Sequence, residues 1–176
     1  MLPLGTKAPA FTLPDAANTS HSLSLDGKAP ATLVIFMCNH CPYVIHLKKH
    51  LSNFCRKYRE KGVQIFGINS NDPGYRSEDG PEGMLSDAKQ YDYPFPYLVD
   101  ESQDVARAYK AACTPDFFLF DRDMKLVYRG QYDASRPGNG KPITGADLGA
   151  AIDAVIVGNP VTQKQFPSMG CSIKWK

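Results

Sequence analysis

Apolar and polar positions along the first half of the chain predict a strand–helix–strand unit. Residues 32–37 form a continuous apolar run of strand length, which is typical of a central strand buried on both faces. Over residues 42–61, apolar side chains recur at steps of three or four, which predicts an amphipathic helix that begins at Pro42. Residues 63–68 are a second apolar run. This order predicts two parallel strands joined by a right-handed crossover.

The remaining apolar blocks predict a further set of helices and strands around that unit. The first 25 residues hold short apolar pieces interrupted by prolines, and they predict a small strand pair or an extended arm at the N-terminus. After the second strand, the pattern predicts a helix over 82–91, a short strand over 97–100 and a helical segment over 105–112. It then predicts a hairpin over 117–120 and 125–130, followed by a final helix over 145–157. Residues 159–176 form a C-terminal tail.

Composition fits a single globular domain spanning residues 1–176. The 176 residues are 43% hydrophobic and 22% charged, and the net charge of +2 does not indicate a nucleic-acid surface. There is no run of about 18 consecutive apolar residues, so no membrane-spanning helix and no membrane partner are predicted. The first residues lack the charged and apolar regions of a signal peptide, so we expect a cytoplasmic protein with its cysteines held reduced.

The most informative motif is a C-x-x-C pair, Cys38 and Cys41, at the junction of the first strand and the long helix. This spacing at such a junction is typical of a redox dithiol, and a helix N-terminus favours a nearby thiolate. The thiolate is the nucleophile of thiol–disulfide exchange. The same pair could supply half of a zinc site or could be an inert buried pair. No second pair with familiar zinc-finger spacing accompanies it.

The two residues between the cysteines are candidates for tuning the thiolate. His40 precedes the second cysteine, and a positive charge there would lower the pKa of Cys38 and make the disulfide more oxidising. Asn39 is the second candidate in this loop. The alternative for His40 is a solvated loop histidine that does not affect the sulfur.

Several motifs together resemble the thioredoxin-like (redoxin) family, in its alkyl hydroperoxide reductase and thiol-specific antioxidant branch. The resemblance covers essentially the whole chain, and it rests on the segments 4–13 (LGTKAPAFTL), 38–44 (CNHCPYV), 113–117 (CTPDF), 133–137 (DASRP) and 170–175 (GCSIKW). It implies a thioredoxin-like α/β fold, with a central mixed sheet flanked by helices and an N-terminal β extension. It also implies that Pro115 is cis and faces the dithiol, and that the backbone of Thr114 pairs with a partner chain.

The chain lacks sequence features that two related groups of proteins, the peroxiredoxins and the thioredoxins, carry. Peroxiredoxins carry a P-x-x-x-T-x-x-C motif, and neither Cys38 nor Cys41 is preceded by a proline and a threonine in that register. Thioredoxins carry a buried acid behind the second cysteine, and here the upstream segment 31–33 is Ala-Thr-Leu. The sequence therefore shows no proton acceptor for Cys41.

Two further cysteines are candidates for extra redox thiols. Cys113 lies two residues before Pro115, so the implied fold brings it towards the dithiol, where it could be a third redox thiol, a metal ligand or a core residue. Cys171 lies in the tail, where it could be a free thiol, a resolving cysteine or an intermolecular one. Convergence of these two with Cys38 and Cys41 would give a four-sulfur metal site.

The sequence as a whole predicts a thiol-disulfide oxidoreductase that acts in cell redox homeostasis through a Cys38/Cys41 couple. We expect no cofactor and no bound metal, and partners that are protein or small-molecule disulfides and thiols. A peroxiredoxin-like antioxidant peroxidase and a metal-binding or redox-sensing module are the alternatives. The chain could be a monomer or a homodimer.

Overall fold

The computed structural model describes all 176 residues as an α/β fold. Its strands are β1 (Thr12–Pro14), β2 (Ser20–Ser22), β3 (Thr32–Phe36), β4 (Gln64–Asn69), β5 (Tyr97–Val99), β6 (Cys113–Thr114), β7 (Asp116–Phe120), β8 (Leu126–Gly130) and β9 (Cys171–Ser172). Its helices are α1 (Pro42–Ile45), α2 (Lys48–Glu60), α3 (Pro81–Gln90), α4 (Asp104–Ala108) and α5 (Ala146–Ile156), with a 3₁₀ turn at Ser77–Asp79. No helix is both long and apolar enough to span a membrane.

The central sheet has five strands in the order β5-β4-β3-β7-β8. Strand β3 pairs in parallel with β4 and antiparallel with β7, and β4 pairs in parallel with β5. Helices α1 and α2 connect β3 to β4, as a parallel crossover requires. The mixed sheet flanked by helices confirms the thioredoxin-like fold class. The expected N-terminal β extension is the β1–β2 hairpin.

Alternate residues of β3 face two separate cores. Leu33 and Ile35 join a cluster that includes buried side chains of α2, α3 and α5, and this cluster also contains both cysteines of the C-x-x-C motif. Val34 and Phe36 join the opposite cluster, with α4 and residues from the N-terminal arm. Because side chains alternate across a strand, one continuous apolar run can fill both cores.

The structure differs from the sequence analysis at two places. The single helix expected over 42–61 is divided, because the N–H of Leu47 bonds to the oxygen of Val44, three residues back, and this tighter turn interrupts the helix. The tail is also not irregular throughout. Its strand β9 pairs antiparallel with β6 in a separate two-stranded ribbon, which local periodicity could not reveal because the partners lie far apart in sequence.

Candidate active site

The C-x-x-C segment lies at the carboxyl end of β3. Met37 extends the strand by donating its N–H to Ile68, and the chain then turns through residues 38–41 before α1 begins at Pro42. Cys41 is the N-cap residue of this short helix. Both Cys38 and Cys41 are free thiols with 0% of their surface exposed. The dithiol is therefore sealed within the protein.

Thr114 contacts both sulfurs. Its hydroxyl oxygen lies 3.4 Å from the Cys38 sulfur, and its carbonyl oxygen accepts a hydrogen bond from the Cys41 thiol at 3.3 Å. The Thr114–Pro115 peptide bond is cis, as the resemblance implies. In this conformation Thr114 is paired with Cys171 of β9 within the chain. Pairing of the Thr114 backbone with a partner chain stays a prediction.

Asp79 is a residue of the site that the sequence did not reveal. It ends the 3₁₀ turn after β4, and its side chain is fully buried. Its carboxylate accepts hydrogen bonds from the backbone N–H of Asn39 at 2.7 Å and from the side chain of Asn71 at 3.0 Å. The surrounding polar loop has no periodicity, and the dithiol loop is 40 residues away in sequence. No local signal could have joined the two.

His40 contacts this carboxylate. Its Nδ1 lies 2.5 Å from Asp79 Oδ2, and ligand atoms of Cys38, His40 and Asp79 all lie within 4.8 Å of one another. A positive charge on the imidazole would be balanced by the aspartate, and the charge on Asp79 raises the pKa of Cys38. Stabilisation of a Cys38 thiolate by His40 stays a prediction. The three groups could also hold a metal, although the imidazole and carboxylate already bond to each other.

The reduced pair favours a single negative charge on Cys41. Hydrogen bonding from Cys38, with further donors from Cys171 and Thr114, lowers the pKa of Cys41 to about 4. The hydrogen bond to Cys41, burial and the charge on Asp79 raise the pKa of Cys38. When Cys41 ionises, it loses the proton that it donates to the Thr114 carbonyl. The hydrogen bonds that the thiolate accepts from the surrounding donors offset that loss.

Asn39 shapes the loop through hydrogen bonds to several other segments of the chain. Its side-chain oxygen accepts a bond from the Tyr97 hydroxyl at 2.7 Å, and its side-chain nitrogen donates to the Glu78 carbonyl at 2.5 Å. The Asn39 carbonyl accepts a bond from the ammonium group of Lys48 at 2.8 Å, and this buried lysine forms an ion pair with Asp87. Asn39 is thus a positioning residue, fixed through several elements of the fold.

The structure brings Cys171 to the dithiol and places Cys113 on the other side of the ribbon. In the β6–β9 register, Cys171 is opposite Thr114, and Cys113 is opposite Ser172. Neighbouring residues of a strand point to opposite faces, so Cys113 faces away from the dithiol. The Cys113 thiol donates to the Pro115 carbonyl at 3.6 Å, and burial raises its pKa to about 12. Three sulfurs converge at the site, and the four-sulfur arrangement is not formed.

Comparison with known families gives a match over most of the chain. The Redoxin family model matches residues 3–148. Among curated proteins, the thiol-disulfide oxidoreductase ResA of Bacillus thuringiensis is 25% identical over 124 residues, which are 70% of this chain and 67% of ResA.

Two solved structures are similar over the full length of the chain. A hypothetical protein from Sinorhizobium meliloti is 49% identical, with a TM-score of 0.97, and the match covers 100% of this chain and 96% of the other. An uncharacterized conserved protein from Geobacillus kaustophilus is 52% identical, with a TM-score of 0.96, and the match covers 100% and 94%. Both similarities extend over the tail that carries Cys171.

Proposed function

This chain belongs to the redoxin family, and we propose that it is a thiol-disulfide oxidoreductase whose active couple is Cys38 and Cys41. The observation that carries the proposal is the contact of both buried sulfurs with each other and with Thr114 at the cis peptide bond. A dithiol held in this way can close to an intramolecular disulfide and open again, which is the chemistry of thiol–disulfide exchange.

The reaction transfers two electrons between the dithiol and a disulfide of another molecule. In the reducing direction, a thiolate of the site enters a mixed disulfide with one partner sulfur and releases the other partner sulfur as a thiol. Exchange ends when Cys38 attacks the Cys41 sulfur and closes the Cys38–Cys41 disulfide, and the second partner sulfur has then left as a thiol. Thr114 positions both sulfurs, while Asp79, His40 and Asn39 fix the loop. In this proposal Cys38 is the resolving cysteine, which reverses the order suggested by the sequence.

The partners we propose are protein or small-molecule disulfides and thiols, in a cytoplasmic redox pathway. Cysteine usage supports that location, because an odd number of five cysteines does not fit a scaffold of structural disulfides of the kind found in oxidising compartments. Hydroperoxide reduction, the peroxidase alternative, has no specific observation in its favour, since the peroxiredoxin motif is absent from the sequence.

Serine variants of the two cysteines test this function. We expect Cys38→Ser and Cys41→Ser each to reduce turnover of a disulfide substrate, such as oxidised glutathione coupled to a dithiol reductant, by at least about 100-fold. Cys55→Ser is the matched control, because Cys55 is a buried free thiol in the same core cluster. Full activity of either active-site variant would show that the couple is not the one proposed.

A further inference from the structure

The tail places a third sulfur directly against the dithiol. Strand β9 pairs with β6 so that Cys171 is opposite Thr114, the residue whose carbonyl oxygen lies 3.3 Å from the Cys41 sulfur. The preceding residue allows this close approach, because a Cβ atom on Gly170 would lie 1.9 Å from the Thr114 carbonyl oxygen. Only glycine fits at this position. The ribbon is thus built to hold Cys171 beside Cys41.

The segment that follows Cys171 is anchored in the fold. Ile173 is buried in the core opposite the dithiol, and its N–H bonds to the carbonyl of Ala112. The carbonyl of Lys174 accepts bonds from the Asp72 N–H at 2.8 Å and from the Gln103 side chain at 2.9 Å. Lifting the tail from the site would break this set of contacts together. Cys171 is therefore a fixed part of the site.

Exposure separates the three cysteines. Cys38 and Cys41 are fully buried, whereas Cys171 is partly exposed. The two buried sulfurs are closed to a disulfide bond of another molecule in this conformation, and Cys171 is the one of the three residues with surface open to solvent. We propose that Cys171 is a third catalytic cysteine that relays disulfide exchange between outside molecules and the Cys38–Cys41 couple. This inference rests on the proposed function.

The relay requires three exchange steps that balance. The Cys171 thiolate attacks an external disulfide, forms a mixed disulfide, and releases one external sulfur as a thiol that takes up a proton. The Cys41 thiolate then attacks the Cys171 sulfur, forms a Cys41–Cys171 disulfide and releases the second external thiol. Finally, Cys38 attacks Cys41, closes the Cys38–Cys41 disulfide and regenerates Cys171. In sum, two electrons and two protons pass from the dithiol to the external disulfide.

Rates of oxidation by oxidised glutathione test the relay. The reduced full-length protein is mixed with oxidised glutathione, quenched with acid at intervals, and analysed by thiol trapping and peptide mass spectrometry. We expect Cys171→Ser to slow formation of the Cys38–Cys41 disulfide by at least about 10-fold. Cys113→Ser is the matched control, since Cys113 lies in the same ribbon on the other face, and its rate should equal that of the wild type. An unchanged or faster rate in Cys171→Ser would overturn the relay.

The intermediate gives a second readout that does not depend on rates. In Cys38→Ser the last step is blocked, so oxidised glutathione should convert the protein to a Cys41–Cys171 disulfide. Glutathione that stays attached to Cys41, with Cys171 reduced, would contradict the relay. The underlying function is tested separately, because the Cys38–Cys41 disulfide must still form at equilibrium in Cys171→Ser. Its absence in both Cys171→Ser and the wild type would instead refute the proposed couple.

Discussion

At the scale of single residues, the carboxylate of Asp79 links the dithiol loop to neighbouring segments of the fold. It accepts hydrogen bonds from the backbone of Asn39 and the side chain of Asn71, and it pairs with the ring of His40. A buried carboxylate is stable only when its oxygens are satisfied in this way. The same charge opposes ionisation of Cys38. One side chain therefore both fixes the loop and biases the dithiol charge towards Cys41.

Replacement of Asp79 should destabilise the protein. We expect Asp79→Ala to lower the free energy of unfolding by about 2–3 kcal/mol, because it leaves buried donors of Asn39 and Asn71 without an acceptor. Denaturant unfolding measures this change. Glu78→Ala is the control, since its side chain is exposed and only its backbone contacts the loop. Equal stability of the two variants would mean that the Asp79 network does not hold the loop.

Sequence patterns located part of the site at this scale. The Cys38–Cys41 pair was evident because its spacing and its position after an apolar strand are local features. Asp79 was not evident, because an aspartate in a polar loop is common and its partners lie 40 and 39 residues away. The contact of His40 with Asp79 was not evident for the same reason, because only the folded chain brings the two side chains together.

At the scale of elements, the β6–β9 ribbon closes the dithiol site. It joins the segment before Pro115 to the end of the chain, and each of its strands has only two residues. The apolar runs of β3, β4 and β7 predicted the central sheet, because a buried strand needs a long apolar segment. The ribbon has no such run, and its pairing depends on contacts between distant parts of the chain. This is why the tail strand was not predicted.

A methyl group at position 170 should open this ribbon. We expect Gly170→Ala to destabilise the protein by about 1–3 kcal/mol, because the added Cβ would collide with the Thr114 carbonyl and force the strands apart. Thermal or denaturant unfolding measures the loss. Ser172→Ala is the matched control, since Ser172 belongs to the same strand and its side chain is exposed. If Gly170→Ala is as stable as the control, the close approach of β9 to Thr114 is not a constraint on the fold.

At the scale of the whole molecule, ionisation of the dithiol couples folding to pH. In the reduced protein the pKa of Cys41 is lowered to about 4, from 9.0 for an ordinary thiol. Between these values the unfolded chain binds one proton more than the folded one, so stability rises with pH and is lost as the pH falls through the folded pKa. Asp116 acts in the opposite sense below about pH 6, because burial raises its pKa to about 6. The pH range in which the effect of Cys41 dominates therefore lies above the pKa of Asp116, at about 6, and below the pKa of an ordinary thiol, at 9.0.

The stability of the reduced protein should therefore increase from about pH 6 to about pH 9, with a slope of at most about 1.4 kcal/mol per pH unit from this pair. Denaturant unfolding in the presence of reductant measures the slope. Cys41→Ser should lose this contribution, and so should the oxidised wild-type protein, because neither contains the ionised thiol. A reduced wild-type slope identical to that of Cys41→Ser would contradict the assignment of the charge.

The most direct test of the account is a redox titration of the full-length protein in glutathione or dithiol buffers, with thiol trapping and peptide mass spectrometry. We predict a two-electron couple in which Cys38 and Cys41 form the disulfide. Because the reduced pair is stabilised by the lowered pKa of Cys41, its midpoint should be less negative than the value of about −270 mV that is typical of thioredoxin. If no Cys38–Cys41 disulfide forms at any potential, the central claim is wrong.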